Sequence, residues 1–153
     1  IPALVDADKR GKAEALKPNC LLIDEFIARE FKAGKISVDD FHGKQQKILL
    51  HGHCHQKSLS SLTPSKKAMS LPKNYEVHLI PSGCCGMAGS FGYEKEHYDL
   101  SMQIGELVLL PTVRNQLSDT IIAAPGTSCR HQIWDGSQRH ALHVASLLAR
   151  HLR

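Results

Sequence analysis

Apolar and polar positions along the chain sort into short strands separated by helical stretches. Residues 47–52 form a brief apolar run, Lys47-Ile48-Leu49-Leu50-His51-Gly52, closed by glycine, which predicts a buried strand. Residues 74–80 alternate through Tyr75, Val77 and Leu79 and predict a second, half-buried strand. Residues 119–124, stopped by Pro125-Gly126, predict a third.

The intervening segments read differently. In residues 19–33, Leu22, Phe26 and Ile27 fall on one helical face opposite charged positions, and Gly34 supplies the stop. Residues 56–62 and 65–71 predict two helical pieces parted by Pro64. Residues 93–116 carry Tyr98, Met102, Gly105, Leu109 and Val113 at spacings near four, a long helix that Pro111 would divide. Residues 127–153 read as helical with a break at Asp135-Gly136, while Ile36, Val38 and Phe41 suggest a short extended piece. Residues 1–17 read as a partly ordered lead-in.

Strand, loop and helix thus recur three times without a hairpin turn between strands. That order predicts an α/β fold with a parallel sheet of three to four strands joined by helical crossovers. Residues 1–46 are expected to be the lead-in and a helix continuing from upstream sequence, and residues 47–153 the main domain. The chain does not begin with Met and reads as a piece of a larger polypeptide.

Cysteine placement changes this picture from a scaffold into a site. In parallel sheets ligands gather beyond the carboxyl ends of the strands. Cys54 follows the first strand, Cys84 and Cys85 the second, and Cys129 the third, so four thiols are expected to meet at one edge. Any one free cysteine is more often a buried space-filler, but four at equivalent loop positions are not independent packing events.

The second loop is Pro81-Ser82-Gly83-Cys84-Cys85-Gly86-Met87-Ala88-Gly89-Ser90-Phe91-Gly92. Its glycines, Gly83, Gly86 and Gly89 above all, would let a bulky cofactor approach the backbone and let amide N–H groups face a negative centre. Thiolates are natural ligands of zinc and of iron–sulfur clusters. Adjacent Cys84 and Cys85 fit poorly on one tetrahedral ion, whose sites normally use C-x-x-C, and suit a centre with several metal atoms better. Thiol–disulfide exchange lacks its C-x-x-C hallmark, and the loop matches neither phosphate-binding glycine pattern. A Cys54 nucleophile paired with His53 or His55 remains a further reading.

His51, His53 and His55 are spaced by two and would share a face if the strand continued through them. A polar strand end is the plainer account and direct metal ligation its alternative; as hydrogen-bond donors to cysteine sulfur, His51, His53 and His55 would all tune a cluster. Arg130 and His131 could serve likewise, and Trp134 is read as packing.

Composition narrows the classes. Hydrophobic content of 42% with 22% charged residues is that of an ordinary folded domain. No apolar run is long enough for a transmembrane segment or a signal peptide. The net charge of +4 is scattered, without basic stripes and interleaved aromatics, which argues against nucleic-acid binding. Five cysteines, including Cys20, are an odd number, which favours metal or redox chemistry in a reducing compartment over a disulfide framework.

Three blocks carry a family resemblance: His51-Gly52-His53-Cys54-His55-Gln56-Lys57, the glycine-rich loop through Tyr93-Glu94, and Gly126-Thr127-Ser128-Cys129-Arg130-His131-Gln132-Ile133. The chain resembles the cysteine-rich CCG domain found in heterodisulfide reductase and in the iron–sulfur subunits of glycolate oxidase and anaerobic glycerol-3-phosphate dehydrogenase. It resembles in particular the C-terminal part of FAD-linked oxidases of the D-lactate or glycolate dehydrogenase type. The family pattern is a single Cys, a Cys-Cys pair and a C-x-x-C; here Gly126 stands where the last pair would begin, and Cys20 is a candidate substitute.

The resemblance implies an electron-transfer module whose metal ligands are Cys54, Cys84, Cys85 and Cys129, with Cys20 as a fifth. The implied cofactor is an iron–sulfur cluster, or zinc in its place, with FAD in the missing part of the parent chain. Flavin and ferredoxin-like domains would be its upstream partners, the electron acceptor being undefined, and this stretch alone would not turn over the 2-hydroxy-acid substrate. The expected location is cytoplasmic, or peripheral to the inner membrane through partners. Two alternatives stand beside this reading: a structural zinc or metal-free docking domain, and a catalytic thiol site acting on disulfides or quinones.

Overall fold

Residues 2–153 are described by a computed structural model. Four strands, β1 (Gln46–Leu50), β2 (Tyr75–Leu79), β3 (Ile121–Ala123) and β4 (Ala141–Leu142), form one sheet in the order β2-β1-β3-β4. All three pairings are parallel, as the absence of hairpin turns predicts. Ile48 lies opposite Val77 and Ile121, and Leu50 opposite Leu79 and Ala123. The ladder is continued past the strand ends by His51 N–H to Ala123 O (2.9 Å) and Ile80 N–H to Leu50 O (2.9 Å).

The central strand β1 is apolar because both of its faces are covered. Alternation sends Ile48 and Leu50 to one side, where they meet Val77, Ala123 and the helices α4 (Thr63–Met69) and α8 (Val144–Ala149) through Met69, Val144 and Leu147. Leu49 and Ile122 point to the other side, against Leu109 and Val113 of α6 (Leu109–Arg114) and Ile133 of α7 (Thr127–Ser137). The result is three layers, helices on both sides of a sheet. Among the described residues no helix is long and apolar enough to cross a membrane.

Before the sheet come α1 (Arg10–Leu16) and α2 (Ile23–Lys32), so the lead-in is more regular than its composition suggests. The buried Asp24 of α2 accepts hydrogen bonds from Gln56 Nε2 (3.3 Å) and from Ser65 Oγ, tying α2 to α4 and to α3 (Cys54–Leu59). Residues 36–41 are not extended throughout. Ser37 and Asp40 cap a short turn reciprocally, Asp39 N–H donating to Ser37 Oγ (3.2 Å) and Ser37 N–H to Asp40 Oδ2 (2.7 Å). Only Phe41 pairs, antiparallel, with Leu152.

Three other boundaries differ from the sequence reading. The long helix divides into α5 (Tyr98–Glu106) and α6 ahead of Pro111, which sits in the first turn of α6, where a missing N–H costs nothing. Asp135-Gly136 does not interrupt α7; the helix ends at Gln138 in a left-handed conformation (φ 55°). Gly136 is there for packing, since a Cβ would lie 2.3 Å from Leu110 Cδ1. The edge strand β4, two residues long, is too short to show any period.

Candidate metal centre

The loops leaving β1, β2 and β3 converge at the carboxyl edge of the sheet. Cys54 opens α3 three residues past the His51 ladder contact, Cys84 and Cys85 lie in the glycine-rich loop, and Cys129 occupies the first turn of α7. Cys85 and Cys129 are buried, whereas Cys54 and Cys84 are half-buried. Sulfurs of Cys85 and Cys129 and a ring nitrogen of His51 all lie within 4.8 Å of one another. Cys54 borders the same cavity as Cys85, and all five cysteines are free.

Electrostatics divides the thiols unequally. A hydrogen bond from Cys129 pulls the Cys85 thiol well below its ordinary range, helped by His51 and the Met87 backbone N–H, against the opposing effect of burial. Cys129 is pushed up by the same contact with Cys85 and by burial, so the two thiols resist ionising together. Cys54 is pushed up by burial and by the neighbouring Cys84. Gathering four acidic sulfurs in a half-buried place discourages their joint ionisation unless a cation compensates.

Backbone groups meet the sulfurs as the loop composition suggests. Gly86 N–H donates to Cys84 Sγ at 3.3 Å. Two cations hold the loops in shape: Lys57 Nζ donates to the carbonyls of Ser82 (2.8 Å) and Gly83 (2.7 Å), and Arg130 Nη1 to those of Ala124 (3.0 Å) and Pro125 (2.9 Å). Arg130 therefore braces the third loop through its backbone. His131 is likewise engaged elsewhere, its Nδ1 2.7 Å from Tyr93 Oη. Trp134 stacks on His140 with ring centroids 4.2 Å apart.

The glycines serve two different ends. Gly86 has φ 102°, and a Cβ there would meet Ser101 O at 2.1 Å, so this residue lets the loop close on α5. Gln132 Nε2 reinforces that contact by donating to Ser101 O (2.9 Å). Gly83 and Gly89 have open space around the Cβ position. Gly89 lines a cavity of about 500 Å³ together with His53, Cys54, His55, Cys85 and Ser128.

Gly126 marks a close approach. A Cβ on it would lie 2.3 Å from His53 Cδ2 and 2.9 Å from Cys129 Sγ, so the His53 ring and the Cys129 sulfur flank the same point. Cys20 is not among the gathered thiols; it is exposed on the wall of a second cavity of about 740 Å³, which also touches His53, His55, Gly126 and His143. His51 lies inside the site with Cys85 and Cys129. It is fully buried, with Nδ1 2.8 Å from Ser82 Oγ and with Nε2 finding no hydrogen-bond partner among the described residues.

Comparison with known proteins agrees in kind. The chain is 24% identical over 151 residues to a subunit of the anaerobic glycerol-3-phosphate dehydrogenase of Escherichia coli (strain K12), a match covering 99% of this chain and 36% of that protein. It is 28% identical over 116 residues to D-2-hydroxyglutarate dehydrogenase of Pantoea ananatis (strain AJ13355), covering 75% of this chain and 11% of that protein. This chain thus spans about a third of the first relative and about a tenth of the second. No protein-family model matches it, and no solved structure does. The relatives are oxidoreductases, and the similarity is consistent with a CCG-type domain whose His and Cys groups could bind a metal.

Proposed function

We propose that this chain is a metal-binding electron-transfer domain of a larger FAD-linked dehydrogenase, with Cys54, Cys84, Cys85 and Cys129 as ligands of an iron–sulfur centre. The observation that carries this reading is the meeting of the Cys85 and Cys129 sulfurs, from two separate loops, with a buried imidazole nitrogen that has no partner among the described residues, and the place of Cys54 on the same cavity as Cys85. A soft sulfur donor set with inward-facing amide N–H groups fits such a centre, and a bound cation would relieve the mutual opposition of the thiols. When bound, the centre would accept and pass on single electrons.

The protein's own residues would set how it does so. Amide donation from Gly86 to the Cys84 sulfur lowers the energy of a negatively charged thiolate. Lys57 and Arg130 hold two of the three loops by their carbonyls and so keep the sulfurs at fixed separation. His53, His55 and Gly89 border the cavity that opens beside the thiols. Both relatives are named as dehydrogenases, and a dehydrogenase must dispose of the electrons it removes. Upstream flavin and ferredoxin-like domains would deliver them here.

Anaerobic reconstitution with iron and sulfide, followed by metal and sulfide analysis, visible absorption and a redox titration, tests the proposal. A coloured protein with stoichiometric iron and sulfide that is reversibly reduced is the expected result. A folded protein that stays colourless and iron-free overturns it, and stoichiometric zinc in its place supports the structural-zinc alternative.

A further inference from the structure

We propose that His51 is a nitrogen ligand of this centre, entering through Nε2 beside the sulfurs of Cys85 and Cys129. The inference rests on reading the thiol cluster as a metal site, and adds to it a donor of a different chemical class.

Strand alternation aims the residue. His51 follows Leu49 by two positions, so its side chain leaves the sheet on the face that carries Leu49, Cys85 and Cys129. Its backbone is held by the ladder, His51 N–H donating to Ala123 O at 2.9 Å. Ser82, itself buried in the neighbouring loop, meets Nδ1 at 2.8 Å and fixes the rotation of the ring. In the tautomer whose Nδ1–H donates to the hydroxyl, Nε2 keeps a free lone pair, as metal-bound histidine does when its other nitrogen is hydrogen-bonded.

The remaining nitrogen faces the sulfurs. It is wholly buried, without a partner among the described residues, and has two thiols at ligand-forming range. An unmet buried polar atom is costly, and nearly all such atoms in folded proteins have a partner. A metal supplies one. Three donors from three strand-end segments then converge deep in the site, while Cys54 and Cys84 remain on its half-buried side. Replacing a thiolate with a neutral imidazole makes the ligand set less negative, and mixed His/Cys ligation raises the potential of an iron–sulfur centre relative to all-cysteine ligation.

Metal-edge X-ray absorption on the full chain, loaded anaerobically with iron plus sulfide and separately with zinc, tests the assignment for either metal. The wild type is expected to show imidazole scattering beside the sulfur shell. His51→Ala should retain the sulfur shell and lose the imidazole signal, and His78→Ala, at an exposed position on β2, should keep both. His51→Cys, checked for folding by circular dichroism, should bind metal with sulfur alone and, with iron, show a lower reduction potential; it serves where the alanine variant fails to fold. Loaded wild type without imidazole scattering, or an imidazole signal that survives in His51→Ala or His51→Cys, overturns the inference and leaves the metal centre standing. Wild type that takes up neither metal overturns both.

Discussion

The two faces of the sheet are built to different specifications. On one, Ile48, Leu50, Met69, Val77, Val144 and Leu147 make an apolar core that also takes in Tyr75. On the other, Leu49, Ile122, Leu109 and Ile133 share the interior with Met87, Cys85 and Cys129, and the core runs without a break into the thiol cluster. Two cysteines there are core residues and proposed ligands at once. The bland and the functional accounts of a buried cysteine are therefore not exclusive, and what separates them is whether polar donors have been built around the sulfurs. Here the Gly86 amide meets the Cys84 sulfur, and the His51 ring, held by Ser82, stands beside Cys85 and Cys129.

The sharpest way to break the comparison is to damage the hydrocarbon face alone. Leu50→Ala removes a fully buried side chain at the centre of the sheet and is expected to cost about 2–5 kcal/mol in urea unfolding of the metal-free chain. Metal bound per folded molecule should be unchanged, because the thiols lie across the sheet. Loss of metal uptake by a variant that remains folded would show that the two faces are not separable.

A smaller effect divides the thiols themselves. In the metal-free chain, Cys129→Ser buries a hydroxyl at a site only 1% exposed and is expected to cost about 1–3 kcal/mol. Cys54→Ser, at a half-buried position, should stay within about 0.5 kcal/mol. Both should lower metal content after reconstitution. Equal stability losses would erase the distinction between core and rim cysteines.

The smallest effect belongs to Tyr75. Burial pushes its hydroxyl up to about 12, and the oxygen has no hydrogen-bond partner among the described residues. A raised phenol ionises first in the unfolded chain, so its contribution to stability is complete below about pH 10 and is lost as pH rises toward about 12. Tyr75→Phe should flatten that alkaline loss and shift stability at neutral pH by no more than about 1 kcal/mol, since no hydrogen bond is given up. An unchanged alkaline profile in the variant would assign the loss to other groups.

Much of this architecture was legible before folding. Periodicity of two in Tyr75, Val77 and Leu79, and unbroken hydrophobicity in Ile48-Leu49-Leu50, distinguish an edge strand from a central one because only the central strand is covered on both faces. Parallel strands all end at one edge, so loop position alone foretold that cysteines following different strands would approach one another there, as Cys85 and Cys129 do. Local chemistry could not go further. Which glycine faces open space and which faces a carbonyl depends on α5 and α7, far along the chain, and so Gly89 and Gly86 look alike in sequence but differ in the fold. Asp24, Gln56 and Ser65 form a buried polar set for the same reason, their burial arising from helices distant in sequence.

His51 shows where the division falls. Its offset of two from Leu49 was present in the sequence and determined that the two side chains share a face. Which of the two faces would receive the thiols was decided only when the loops after β2 and β3 folded over that side, because handed crossovers, packing volume and the Ser82 contact act between residues that no local pattern connects.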